Sequence, residues 1–133
     1  MSIVALIKKT MAKILIVEDE VPIAAMYEYK MLQAGHTVWR ADNGIAGLKS
    51  AEKNLPDLIL LDLKMPEMPG DVMLEKLRDT DWGFRMRIVI LTNISRDEAP
   101  HSLQFLRVDR FVVKAHHTPT QISQIVTEIL GTN

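Results

Sequence analysis

Short apolar runs rich in β-branched residues alternate along this chain with longer stretches in which apolar positions recur every three or four residues. Lys13–Val17 reads KILIV, residues 57–61 read DLILL and residues 87–91 read RIVIL. These are nearly continuous apolar runs and not alternations, the pattern of strands buried on both faces. Thr37–Ala41 and residues 111–113 predict two further strands. Between them, Val21–Gln33 carries Ile23, Met26, Tyr27, Tyr29 and Met31 in a helical pattern that Gly35 stops. Residues 44–53 predict a short helix that Pro56 cannot continue. Pro66, Pro69 and Gly70 mark a loop, and residues 71–77 begin the next helix. A fourth helix is expected within residues 98–106, with Pro100 in its first turn. The last helix has the best local signal. Thr118 caps it, Pro119 takes the first helical position and Gln121 completes a capping box. Ile122, Ile125, Val126, Ile129 and Leu130 then form one apolar stripe. Met26 and Met31 read as core filler, and Trp39 and Trp82 as residues packing at strand and loop edges.

Five β-then-α units imply a doubly wound α/β fold, (βα)5, because parallel strands need crossovers and crossovers are usually helices. Right-handed crossovers put helices on both faces of the sheet. A length of 133 residues is one domain's worth. Lys plus Arg is 16 and Asp plus Glu is 17, a formal charge of -1, so no basic excess argues for direct DNA binding. The absence of Cys removes disulfides, thiolate metal sites and Cys nucleophiles. No apolar stretch approaches a membrane span. The apolar opening at residues 3–7 is too short for a signal-peptide core, and Lys8 and Lys9 lie on its wrong side. A cytoplasmic protein without membrane insertion is expected.

In such sheets ligands bind beyond the carboxyl ends of the strands. Glu18, Asp19 and Glu20 follow the first run, Asp62 the third, Thr92 and Asn93 the fourth, and Lys114 the fifth. Carboxylates converging in one crevice repel, and a hard divalent cation, Mg²⁺ or Mn²⁺, relieves that repulsion. A carboxylate beside a metal and a lysine is a competent nucleophile toward phosphorus, giving an aspartyl phosphate.

Four segments, ILIVEDE at 14–20, LILLDLKMPEMPG at 58–70, VILTN at 89–93 and FVVK at 111–114, together resemble the receiver domain of two-component response regulators. The resemblance implies a five-stranded, flavodoxin-like sheet of order 2-1-3-4-5, with the receiver over residues 12–133 and no effector domain. Residues 1–11 are then an N-terminal extension or an artefact. It implies Asp62 as phosphoacceptor, and Glu18, Asp19, Asp62 and the backbone carbonyl of Lys64 as metal ligands. Thr92 would hydrogen-bond a phosphoryl oxygen and Lys114 would pair with the phosphoryl group. Thr92 and Phe111 would form the switch that reshapes the face made by the fourth helix, fifth strand and fifth helix. The implied donor is a sensor histidine kinase or a phosphotransfer protein, and the implied output is a separate protein partner on that face. The implied behaviour is a stand-alone switch, not an enzyme, with at most slow autodephosphorylation.

The sequence departs from the family at several points. Ala115 follows Lys114 where the family usually carries a Pro joined by a cis bond, so the loop is either trans or strained. Asn93 replaces a small residue after Thr92 and narrows the rim of the phosphoryl pocket. Arg107 and Val108 replace Gly-Ala after the fourth helix, which removes a left-handed glycine cap. Lys64 and Asn93, on either side of the acceptor, are expected to set the phosphoryl lifetime. Two other functions compete. A phosphorylation-independent docking module would keep the fold alone, against which stand Asp19, Asp62, Thr92 and Lys114. A Mg²⁺-dependent aspartyl phosphatase wants an acid two residues after the nucleophile, where Lys64 stands. His116 and His117 are adjacent, project in different directions and find no third ligand nearby, so they read as surface residues. His36 and His101 carry no signal.

Overall fold

The computed structural model describes residues 2–3 and 11–131; of the expected extension, residues 1 and 4–10 lie outside the described residues. Five strands form one sheet: β1 (Lys13–Val17), β2 (Thr37–Ala41), β3 (Leu58–Leu61), β4 (Arg87–Thr92) and β5 (Arg110–Val113). All neighbouring pairs are parallel, in the order β2-β1-β3-β4-β5. The helices are α1 (Val21–Gln33), α2 (Gly44–Asn54), α3 (Gly70–Arg78) and α4 (Pro119–Leu130).

The continuous apolar runs are explained by two cores, one on each face. Leu15, Ile59, Leu61, Ile88 and Ile90 face Ala51 of α2 and Met73, Leu74 and Leu77 of α3. Ile14, Ile16, Leu58, Leu60 and Val89 face Ala24, Tyr27 and Met31 of α1 and Ile122, Val126 and Ile129 of α4. The α4 capping box is present, with Thr118 and Gln121 exchanging both bonds. Gly35 ends α1 at a φ of 93°, which glycine adopts without cost. Trp39 and Trp82 are partly buried and pack against the first core. Met31 is buried, but Met26 is 41% exposed and does not fill the core. Five positions separate the two methionines, about 140° around a helix, so both cannot face inward.

The expected fourth helix is not there. Its place is taken by two 3-10 turns, Arg96–Glu98 and His101–Phe105, so four α-helices are seen among the described residues. The break lies at Ala99, which is extended at φ -69° and ψ 152°. Pro100 disfavours helical geometry in the residue before it, and it stands ahead of the second turn and not inside it. After that turn Arg107 reaches φ 54°, so the left-handed position persists without its glycine.

The amino edge of the sheet is held by polar groups just before the strands. The His36 ring accepts the Ala12 N–H at 3.0 Å, Asp57 accepts that of Lys13 at 2.8 Å, and Asp109 accepts that of Ile88 at 2.7 Å. In each case a backbone bond runs the other way, from Thr37, Asp57 and Asp109 to the carbonyls of Ala12, Lys13 and Ile88. His36, which carried no signal in the sequence, is therefore a buried structural residue. Nearby, the buried Arg78 guanidinium donates to the carbonyls of Leu106, Gly83, Phe84, Met86 and Arg107 at 2.7–3.1 Å. Arg107 in turn stacks its guanidinium over the Phe84 ring, 3.9 Å from the centroid.

Candidate functional site

At the carboxyl edge, β1 ends at Val17 and β3 at Leu61, in register with each other. The next residues, Glu18 and Asp62, are fixed by N–H bonds to Ala41 and Val17 carbonyls, at 3.0 and 3.1 Å. Both carboxylates are buried. Oxygens of Glu18, Asp19 and Asp62 lie within 4.8 Å of one another. The start of α3 is pressed against the same point. A β-carbon on Gly70 would stand 2.0 Å from the Asp62 carbonyl oxygen, so only glycine lets the helix approach this closely.

Lys114 reaches into the cluster from the end of β5. Its ammonium, on a side chain only 10% exposed, donates to Asp62 Oδ2 at 2.9 Å and contacts Glu18 Oε1. Burial alone would pull the Lys114 pKa down, but the hydrogen bonds to Glu18 and Asp62 and their charges outweigh it, leaving it raised. Burial pushes the Glu18 carboxyl up, against the opposing hydrogen bonds from Lys114 and the Glu20 N–H. Asp62 Oδ1 accepts one long bond, 3.4 Å, from the Lys64 N–H. Thr92, at the end of β4, is buried, and its hydroxyl oxygen accepts the Ile94 N–H at 3.4 Å.

These groups line a cavity of about 350 Å³ that includes Asp19, Asp62, Lys64, Thr92, Asn93 and Lys114. Asp19, Asp62, Thr92 and Lys114 thus come together as the sequence predicts, with Glu18 behind Lys114. Three close carboxylates, all hard oxygen donors, fit a divalent cation of the Mg²⁺ or Mn²⁺ type. The site can hold such an ion and offer one carboxylate oxygen to an electrophile.

Phe111 stands apart from this cavity. It is partly buried, lines a second cavity of about 500 Å³ beside the 3-10 turns, and carries Arg96 over its ring at 5.7 Å. His117 is taken up locally, its ring nitrogen meeting the Val113 carbonyl at 3.1 Å, while His116 is exposed. Among the described residues no cis peptide bond occurs, so the Lys114–Ala115 link is trans. Sequence reasoning missed three residues at the site. Glu98 lines the cavity from the first 3-10 turn, a position no helical pattern would disclose. Tyr27 is buried on α1, and burial first, then the Glu18 and Asp62 charges, raise its pKa against Lys114. Gly70 was legible only as a loop residue.

A family model described as the response regulator receiver domain matches residues 14–127. The chain is 35% identical over 80 residues to the sporulation initiation phosphotransferase F of Bacillus subtilis, covering 60% of this chain and 63% of that protein. It is 35% identical over 86 residues to the alkaline phosphatase synthesis transcriptional regulatory protein PhoP of the same organism, covering 65% of this chain and 34% of that protein. The chain therefore spans less than two thirds of either relative. Among solved structures, the chemotaxis response regulator CheY4 of Vibrio cholerae superposes with a TM-score of 0.82 at 27% identity, over 90% of this chain and 99% of that one.

Proposed function

The chain belongs to the response regulator receiver domain family, and on that premise we propose that it is a phosphoacceptor switch whose acceptor is Asp62. The observation that carries this reading is the buried Asp62 carboxylate, with one oxygen held by Lys114 at 2.9 Å and Glu18 and Asp19 beside it. Asp62 Oδ1 is the less encumbered oxygen and attacks phosphorus. The bond from phosphorus to the donor's nitrogen or oxygen breaks, and the donor leaves with the electron pair. Lys114 then pairs with a phosphoryl oxygen, and the Thr92 hydroxyl donates to another. Bound at Glu18, Asp19, Asp62 and the Lys64 backbone carbonyl, Mg²⁺ or Mn²⁺ would supply neutralisation of phosphoryl charge.

The donor is a sensor histidine kinase or a phosphotransfer protein, and the receiver acts in the cytoplasm through protein contacts and not through DNA contacts of its own. Reorientation of Thr92 and Phe111 alters partner binding on the face made by the 3-10 turns, β5 and α4. Incubation with acetyl phosphate and Mg²⁺, read by intact mass, tests the reading. One phosphoryl group is expected, absent without metal and absent in Asp62→Asn. Labelling that survives in Asp62→Asn would refute the assignment.

A further inference from the structure

The two departures from the family at Asn93 and Ala115 meet in space. The Asn93 side-chain oxygen accepts the Ala115 N–H at 3.1 Å. The β4–β5 ladder ends with Thr92 opposite Val113, so this bond joins the strands one step beyond the ladder. It lies next to two residues of the site, because Asn93 follows Thr92 and Ala115 follows Lys114.

Lys114 opens a 3-10 turn, Lys114–His116, whose preceding residue Val113 gives no side-chain cap. The first N–H groups of such a turn have no partner inside it. Asn93 supplies one from the neighbouring strand. A proline at 115 would have no N–H to give, so Asn93 has a bonding role here only because position 115 is not proline.

We propose that Asn93 is a positioning residue for phosphoryl transfer: its bond to the Ala115 amide holds the turn that aims Lys114 at Asp62. This rests on the reading of Asp62 as acceptor. The Lys114 ammonium must meet both Asp62 and Glu18 in a buried space, and a long flexible side chain does so reproducibly only if its backbone is fixed. One neutral hydrogen bond shifts an equilibrium about two- to tenfold, which bounds the effect.

Two measurements on the full chain test it. In Asn93→Ala, exchange of the Ala115 amide should accelerate about two- to tenfold, and Asn93→Asp, which keeps an acceptor oxygen there, should restore the parent exchange rate. At saturating acetyl phosphate with Mg²⁺, Asn93→Ala should lower the maximal loading rate of Asp62 by about two- to tenfold. A side chain that merely narrows the rim predicts the opposite sign, faster loading. Unchanged Ala115 exchange in Asn93→Ala, or loading that is unchanged or faster, overturns the proposal. A parent chain that takes no phosphoryl group overturns the reading of Asp62 and the role in loading with it. The exchange arm needs no phosphodonor and still decides whether the bond holds the turn.

Discussion

At the carboxyl edge of the sheet a buried lysine faces two carboxylates; at the amino edge a buried arginine faces five carbonyl oxygens. Both cations are desolvated, and both are answered by hydrogen bonds. The difference is in the partners. Glu18 and Asp62 are carboxylates that a metal ion can re-partner, a phosphoryl oxygen can re-partner Lys114, and Asp62 and Lys114 line open space. The carbonyls around Arg78 belong to the loop before β4 and to the turn before β5, and no mobile ligand can replace the guanidinium fork among them. One edge is built to exchange partners and the other to keep them.

The contrast breaks first at Arg78. Arg78→Met strands five carbonyls and should destabilise the fold by about 3–5 kcal/mol, a large share of a small domain's stability. Urea denaturation measures this, and a loss under 1 kcal/mol would show that water replaces the fork easily.

Mg²⁺ sharpens the contrast next. Binding only to the native state adds about 2.7 kcal/mol at a hundredfold excess over Kd. The gain should appear in the parent and in Arg78→Met, and vanish in Asp19→Ala. An equal gain in Asp19→Ala would mean that the ion binds elsewhere.

Acid acts on the two edges with opposite signs. Burial holds the His36 pKa below its ordinary value, against the pull of Asp57. The unfolded chain then binds a proton that the folded chain refuses, so stability is present above the ordinary histidine value and is lost as pH falls through the folded one. The slope from this group is at most about 1.4 kcal/mol per pH unit. Without metal, the raised Glu18 works the other way, since its folded form keeps a proton that the unfolded chain has released. Its contribution is present below the ordinary carboxylate value and is lost as pH rises through the folded one. Denaturation at a series of pH values should show His36→Asn flattening the acid-side loss. An unchanged slope in that variant would remove His36 from the account.

The smallest effect is at Lys64. Its side chain is exposed, so pairing with a phosphoryl oxygen is screened, and Lys64→Ala should speed autodephosphorylation severalfold, not by decades. Loading at Asp62 should persist, and an unchanged phosphoryl half-life would limit Lys64 to its backbone.

The carboxyl edge was legible as far as its residues follow an apolar run that predicts a buried strand; Glu98, Tyr27 and Gly70 do not, and were missed. Asp62, Thr92 and Lys114 needed nothing more than the position of a strand end. The amino edge offered no such mark. His36, Asp57 and Asp109 sit in the loops before strands and Arg78 closes α3, and their partners are backbone groups that a sequence does not distinguish. The fourth crossover failed for a different reason. Pro100 is compatible with a helix start, and the cost it imposes on Ala99 decided between helix and turn. Arg107 shows the converse, a left-handed residue without glycine, offset by stacking on Phe84 and by its carbonyl's bond to Arg78.

The polar pairs at the amino edge also bear on how the strands find their alignment. Where one face of a sheet is wet, alternation of side chains forbids a strand from slipping by one place. Here LILL in β3 and ILIV in β1 offer apolar residues to both faces, so a slipped strand would still bury oil against oil. A slip of one residue moves the chain by about 3.3 Å and separates His36 from Ala12, Asp57 from Lys13 and Asp109 from Ile88. Those three side chains thus act as an alignment code read at the foot of the sheet. At its head, Asp62 is thereby counted off against Glu18, and Lys114 against Thr92.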